Sequence, residues 1–418
     1  MDAKDNPASP QLTETAMLPR NFIGGLWHGA FLAFGMALTQ PTTILSSFIT
    51  DLTGSTVWVG GLSTVLTVAE AIPQLFVARW IESKPRKKVY LLAAINLRIL
   101  SWGILAWMIY WIGSNQPLLL AKILVIMLIV FYAGGGFANI PFTEMIGKVI
   151  PPGKRGAFFG GRGAIAAPLS VIAALAAQRI LVKVSYPNNY ALLFGGAAIS
   201  LAIASLGFWV MKEPALAAGG EVYPTWREYW MNLVKISSHL KTFIFAQLLT
   251  GFSLMALPFY VVYARQDLHA PNGAIGWYLF MQVLGGSISN LFWARLVDRN
   301  GSRQMLRICA VTSTITPLLA IILAPLGWTG LLVIFFLVGA FVNGRNVGFQ
   351  SALLDIAPPT QRGIYAAMDG VLSLPIAFLP LAAGLFLNRF SYPALFVLVS
   401  IFVAAGAWII HRWIAHDM

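Results

Sequence analysis

Glu70, in the stretch "TVAEAIPQ", is the one acid near the middle of a long apolar run. An ionised carboxylate placed there costs about 2.5 to 3.5 kcal/mol on membrane-insertion scales. Such a group must pair with a cation, face water, or carry a proton, and each of these is useful chemistry. Two cations, Arg98 and Arg345, lie at comparable positions in other apolar runs, and Arg345 is the expected partner. It sits in "FVNGRNVGFQ", where Asn343, Arg345, Asn346 and Gln350 share a broad polar face. A guanidinium offers a planar fork of donors suited to a carboxylate or phosphate. Asn139 supplies a further amide, and Gln40, Gln247 and Gln282, with His28, Thr43 and Tyr260, are secondary candidates for the same cavity.

Other chemistries find no residues to carry them. There is no HExxH, no GxSxG and no Cys/His metal spacing, and Cys309 is the only cysteine. No enzymatic activity, cofactor or metal is therefore expected. The runs "YAGGGFANI" and "FFGGRGA" lie in or beside apolar segments, where glycine serves close helix packing better than phosphate binding. A net charge of +13 and a pI near 10.0 would suit a nucleic-acid partner, but the chain is 58% hydrophobic and only 10% charged. Its mean hydropathy of +0.75, with 14 Trp and 27 Phe, belongs to a protein dissolved in lipid.

Apolar runs between charged or turn-rich breaks give spans near 22–50, 57–81, 89–112, 118–145, 157–181, 190–211, 242–264, 274–297, 304–325, 328–353, 363–387 and 392–413. Each is long enough to cross about 30 Å of hydrocarbon as a helix. The fold class expected is an all-α integral membrane protein of twelve transmembrane helices in two pseudo-symmetric six-helix bundles. With the N-terminus placed in the cytoplasm, the loops and tails on that side hold 20 of the 28 Lys and Arg residues. That bias puts both termini in the cytoplasm of a multi-pass protein of the cell (inner) membrane. Residues 1–20 are polar and read as a cytoplasmic tail without a cleavable signal peptide.

The chain also resembles itself. At a shift of 216 residues "LFVARWIESKPRKK" lies over "LFWARLVDRNGSRQ", matching Arg79 to Arg295, Glu82 to Asp298 and Lys87 to Arg303. At a shift of 207, "PPGKRGAFFGGRGAIAAP" lies over "PPTQRGIYAAMDGVLSLP", and Asn139 falls on Asn346. Two parallel copies of a six-helix unit account for both registers. The division expected is a bundle over 21–211, a cytoplasmic linker over 212–241, a second bundle over 242–413 and a tail over 414–418. Within the linker, "TWREYWMNLVKI" is amphipathic and reads as an interfacial helix with Trp226 and Trp230 at headgroup level.

The loop after span 2, with Ala78, Trp80, Glu82, Ser83, Pro85, Arg86, Lys87 and Lys88, resembles the loop signature of the major facilitator superfamily in its basic tail. Both glycines and the first Arg of that signature are replaced. The second copy keeps Asp298, Arg299, Gly301 and Arg303. Of the family's antiporter motif in span 5, only Gly163, Ala167 and Pro168 remain, with Val171 and Ile172 at the final glycines. The resemblance implies secondary transport of a small organic solute by alternating access in a monomer, with a proton as candidate coupling ion and membrane lipids as neighbours. The alternatives are a lipid or lipophilic-drug exporter, or a non-transporting assembly factor or receptor of the same fold. It also implies that Arg86 contacts Glu144 at the end of span 4, that Arg303 faces Asp355 likewise, and that spans 2 and 5 pack on spans 11 and 8. At those crossings Arg79 or Lys84 would meet Asp369, and Arg162 would meet Asp298 or Glu82, as latches on the cytoplasmic side.

The charge bias is directly checkable. A fluorescent protein fused after Met418 should fluoresce and a periplasmic phosphatase fused there should stay inactive; the reverse pattern would invert the topology.

Overall fold

The structure is a computed structural model. It describes the backbone of residues 10–82, 84–214, 238–356 and 374–416, and side chains over the same ranges except 10–17, 75, 78, 79, 82, 152, 238–240, 298, 354 and 413–416. Helices fill nearly all of these ranges, and ten of them are long and apolar enough to cross a membrane. Span 1 comprises Pro10–Leu38, a π-helical turn at Pro41–Leu45 and Ser46–Thr53. Spans 2 to 6 are Thr56–Glu82, Lys88–Ile112, Pro117–Val149, Pro152–Lys183 and Asn188–Val210. Span 7 is divided into Ser238–Gly251 and Ser253–Gln266. Spans 8 and 9 follow one another within Asn272–Ile322, turning at Gly301 (φ 78°, ψ 167°), a backbone conformation open to glycine. Leu331–Ile356 is span 10, Leu379–Leu387 ends span 11, and Tyr392–His416 is span 12. The linker helix with Trp226 and Trp230, and the start of span 11, lie outside the described residues.

Sequence chemistry explains where the helices stop and bend. Gly54 (φ 64°) and Gly113 (φ 63°) end their helices in the left-handed region, which costs a residue without Cβ little. Pro41 removes a donor, and the Gln40 carbonyl gathers bonds from the N–H groups of Thr43, Ile44 and Leu45 at 3.4, 2.9 and 3.2 Å. Span 7 breaks at Phe252, between Gly251 and Ser253, while Pro258 sits inside a helix.

Within each half, helices approach through glycine. A Cβ on Gly136 of span 4 would lie 2.0 Å from the Glu70 carbonyl oxygen of span 2. The two repeat registers map this pair onto Gly286 and Asn343, and those residues also meet: a Cβ on Gly286 would lie 2.6 Å from Asn343 Nδ2. The small and large partners have exchanged helices between the halves. One turn along, a Cβ on Gly339 would lie 1.9 Å from the Gln282 carbonyl.

Between the halves, span 2 packs on span 11 and span 5 on span 8, as the resemblance implied. The described bonds between bundles all fall toward one face. Thr56 Oγ1 donates to the Gly384 carbonyl at 2.9 Å. Thr42 Oγ1 donates to Gln282 Oε1 at 3.0 Å. Cβ atoms at Gly60 and Gly276 would lie 2.1 Å from Pro380 O and 2.3 Å from Gln178 Cα. That face is opposite to the one carrying the termini and the basic loops. On the terminal face, no hydrogen bond or ion pair between described residues joins the bundles.

Overpacking a glycine crossing costs about 1 to 3 kcal/mol. Gly136→Val should therefore lower the melting temperature of the detergent-purified protein. Gly103→Ala, where a Cβ meets nothing within 4 Å, should leave it unchanged or slightly raised.

Candidate functional site

The charges of the membrane interior gather in the N-terminal bundle. Arg98 leaves span 3 and runs between spans 4 and 1. Its Cγ would lie 3.0 Å from a Cβ at Gly134, and its guanidinium carbon stands 4.3 Å from the centre of the Phe131 ring. Nη2 reaches only the Met36 sulfur, at 3.8 Å, and the buried Nε has no acceptor among the described residues. A cation–π contact is worth about 0.5 to 2 kcal/mol, whereas burying an ion costs several. The contacts seen therefore do not offset the burial of this guanidinium, and it requires an anionic neighbour. Glu70, half-buried on span 2, is the acid that faces it, together with the Tyr132 hydroxyl. The two form no ion pair within 4.0 Å.

The expected Glu70–Arg345 pairing is thus replaced by Glu70 facing Arg98. The reason is helix rotation: Arg345 points from span 10 toward span 7, where Nη1 donates to Thr250 Oγ1 at 2.5 Å and Nη2 to the Gln247 carbonyl at 2.9 Å. The Phe349 ring centre lies 4.7 Å from its guanidinium carbon. Gln247 contributes its backbone, while its side-chain Oε1 is buried without a partner among the described residues. Gln282 is buried against Thr42, and Gln40 Nε2 reaches Thr42 Oγ1 at 3.5 Å. Asn343 packs on span 8, whereas Asn139, Asn346 and Gln350 are exposed.

Arg162, expected at a latch with Asp298 or Glu82, turns into its own bundle. Its stem presses on Gly29, Nη2 lies 3.2 Å from His28 Nδ1, and its guanidinium carbon is 4.8 Å from the Phe142 ring centre. Gly29 makes room, since a Cβ there would come within 2.3 Å of Arg162 Cγ. The side chains of Arg79, Glu82, Asp298 and Asp369 lie outside the described residues, and Arg295 is exposed.

The loop motifs are shifted by one residue from expectation. Glu144 pairs with Lys87 at 2.9 Å, not with Arg86, which is exposed. Lys87 is the residue before the helix of span 3, and its buried ammonium also donates to the Ile81 carbonyl. Glu213 holds this turn from the start of the linker, accepting from the backbone N–H of Lys87 and Lys88 at 2.9 and 2.8 Å and pairing with Lys148 at 3.1 Å. In the second copy Asp355 accepts from Ser302 Oγ at 2.5 Å, beside Arg303.

Sequence reasoning missed the pair that joins the bundles. Asp51, ending span 1, meets Arg265, ending span 7, at 2.5 Å. Tyr190 donates to the second Asp51 oxygen at 3.2 Å, and Arg265 Nη1 donates to Asn272 Oδ1 at 2.5 Å. Beside them, burial and the Asp51 carboxylate push the Tyr186 hydroxyl, which lies in a loop, up to about 12. A signal was available: Arg265 is among the few cations off the basic side, and Asp51 is the lone acid just before the first tight turn.

Asp51→Asn and Arg265→Gln should each expose the closed face. Their effects should be less than additive, by about 0.5 to 3 kcal/mol in a double-mutant cycle. Thiol labelling of a cysteine at Thr56, in a Cys309→Ser background, checks this, and equal labelling in wild type and variants would refute the gate.

Comparison with known proteins places this geometry. Residues 243–417 match the sequence model of the Major Facilitator Superfamily. A search of curated protein sequences gives no match. Among solved structures, the nucleoside transporter NupG superposes with a TM-score of 0.69 at 13% identity, covering 95% of this chain and 99% of its own. A bacterial homologue of the iron transporter ferroportin in its inward-facing state gives 0.68 at 14% identity, with 97% and 99% covered. The same description in an outward-facing state with soaked iron gives 0.56 at 13% identity, with 95% and 99% covered. The inward-facing form gives the higher TM-score of these two. The loop motifs, the repeat, the sequence match over the second bundle and the fold of the whole chain agree on the major facilitator superfamily fold.

Proposed function

We propose that this chain is a secondary transporter of a small organic solute, working by alternating access between two six-helix bundles, with its termini in the cytoplasm. The observation that carries the reading is the one-sided junction. Asp51–Arg265, Thr56–Gly384 and the Gly60 and Gly276 crossings hold one face shut. The other face has no such bond among the described residues. Bundles bonded on one face alone among the described residues, with polar and charged groups at mid-depth, suit a carrier that opens to either side better than a rigid receptor. The solved relatives are described as nucleoside and metal transporters, which supports transport without fixing the solute. An organic solute is favoured over a metal, because the described residues hold no cluster of three or more His, Cys, Asp or Glu that could bind one.

Glu70 is the candidate for proton coupling. It is an acid at membrane depth that faces Arg98 and Tyr132 without a fixed ion pair, so it can exchange a proton as its surroundings change. In proteoliposomes loaded with a pH-reporting dye, a panel of sugars, nucleosides, amines and organic anions should contain a solute that drives proton movement. Glu70→Gln should reduce that movement to the rate of empty vesicles while solute exchange continues. Proton movement equal to wild type in Glu70→Gln would remove the coupling role, and silence across the panel would remove the transport reading.

A further inference from the structure

We infer that the N-terminal bundle is a binding site for an organic anion, carrying a carboxylate or phosphate, that is received between spans 1 and 4 by the guanidinium groups of Arg98 and Arg162. This deepens the transport reading by naming the charge of its solute.

Four observations converge. Both side chains come from helices behind the site, spans 3 and 5, and both heads emerge between the same two helices: Arg98 at Met36 and Phe131, Arg162 at His28 and Phe142. Each lies over an aromatic ring, which orients a guanidinium while leaving its edge donors available. Those donors are under-used. Among the described residues, Arg98 Nε is buried with no acceptor, Nη2 has only a thioether, and Arg162 finds a single ring nitrogen. Finally, the charges do not balance. Ion pairs between described residues join Lys87 to Glu144, Lys148 to Glu213 and Arg265 to Asp51. None involves Arg98 or Arg162; Glu70 faces Arg98, and among the described residues no carboxylate faces Arg162.

The arrangement also has a direction. Met36 and His28 are eight residues apart on one helix, so the contact points of the two guanidiniums on span 1 are about 12 Å apart along its axis. Arg162 is nearer the face carrying the termini. An anion entering from that face meets Arg162 first and Arg98 at depth, where it takes over from Glu70 as the counter-charge. Glycine at 29, 134 and 135 leaves the space that the arginine stems and heads occupy.

The test uses solutes matched except for charge: benzoate and benzamide, glucose 6-phosphate and glucose, uridine monophosphate and uridine. Thermal stability of the full-length purified protein should rise with at least one charged member and not with its neutral counterpart. Arg98→Gln should weaken that ligand on the order of thirtyfold or more, and Arg98→Lys, which keeps the charge but loses the fork, should fall between. Arg162→Gln should also weaken it, and Arg389→Gln should not. If Arg98→Gln fails to fold, the lysine variant and the matched pairs on wild type decide. A neutral member that binds as tightly as its charged partner, no shift with any charged member, or undiminished binding in Arg98→Lys and Arg162→Gln overturns the inference. Phosphatidylglycerol alone reproducing the shift would put a lipid headgroup on the arginines and overturn the solute assignment. Counterflow separates this inference from the transport reading. A charged solute that stabilises the protein but is not exchanged removes transport and leaves the anion site. A neutral solute exchanged while its charged analogue is ignored keeps transport and removes the anion site.

Discussion

Asp51 and Arg265 end corresponding helices in the two halves of the chain and meet at 2.5 Å. The carboxylate is also held by Tyr190, and the guanidinium by Asn272. A partly buried pair with all of these partners is worth keeping only while both ions stay together, because separating them exposes two desolvated charges. The pair therefore behaves as a clasp. Around it the bundles touch through glycine, at Gly60 on span 11 and Gly276 on span 5, where small residues let backbones approach closely in a medium with no hydrophobic drive to bring helices together. The rest of the conformer follows from this contact. With one face fixed, the opposite ends of spans 2, 5, 8 and 11 are the ones left to separate.

Much of the architecture was legible because lipid makes strict demands. A helix must be about 20 apolar residues long to cross, so the spans declare themselves, and Lys and Arg mark one side. The repeat registers of 216 and 207 residues also relate two helix crossings seen in the structure, since Glu70 and Gly136 map to Gly286 and Asn343 and both pairs touch. What could not be read is rotation. These helices are apolar on nearly every side, so the sequence has no stripe that says which way Arg345 or Arg98 points. Arg345 was expected to look into the cavity toward Glu70 and looks to Thr250 instead. The Glu144 contact likewise fell to Lys87 and not to Arg86, because both lie in the loop before span 3, where no helical period fixes which side chain turns inward.

The two halves are not mirror copies in chemistry. At the mapped crossing, the N-terminal half has the large residue on span 2 and the glycine on span 4, and the C-terminal half reverses them. The acid of one half thus answers to a glycine in the other, with Gln282 one turn away serving the contact to Thr42. Among the described residues, ionisable groups concentrate in the N-terminal bundle, and uncharged hydrogen bonding fills the equivalent depth of the second bundle, Arg345 apart.

Arg98 and Arg162 also give the protein an electrical character. These two guanidiniums and the single carboxylate of Glu70 leave the interior of the N-terminal bundle with an excess of positive charge among the described residues. In a membrane carrying a potential, each elementary charge moved across the full field involves about 2.3 kcal/mol per 100 mV. If the bundles rock in the alternating-access cycle proposed above, the field no longer drops across the same side of that charge. The vacant protein would then feel the voltage, while a protein neutralised by a bound anion would pass through the same motion almost indifferent to it. The cell's resting potential would bias the return of the empty carrier more than the passage of the loaded one.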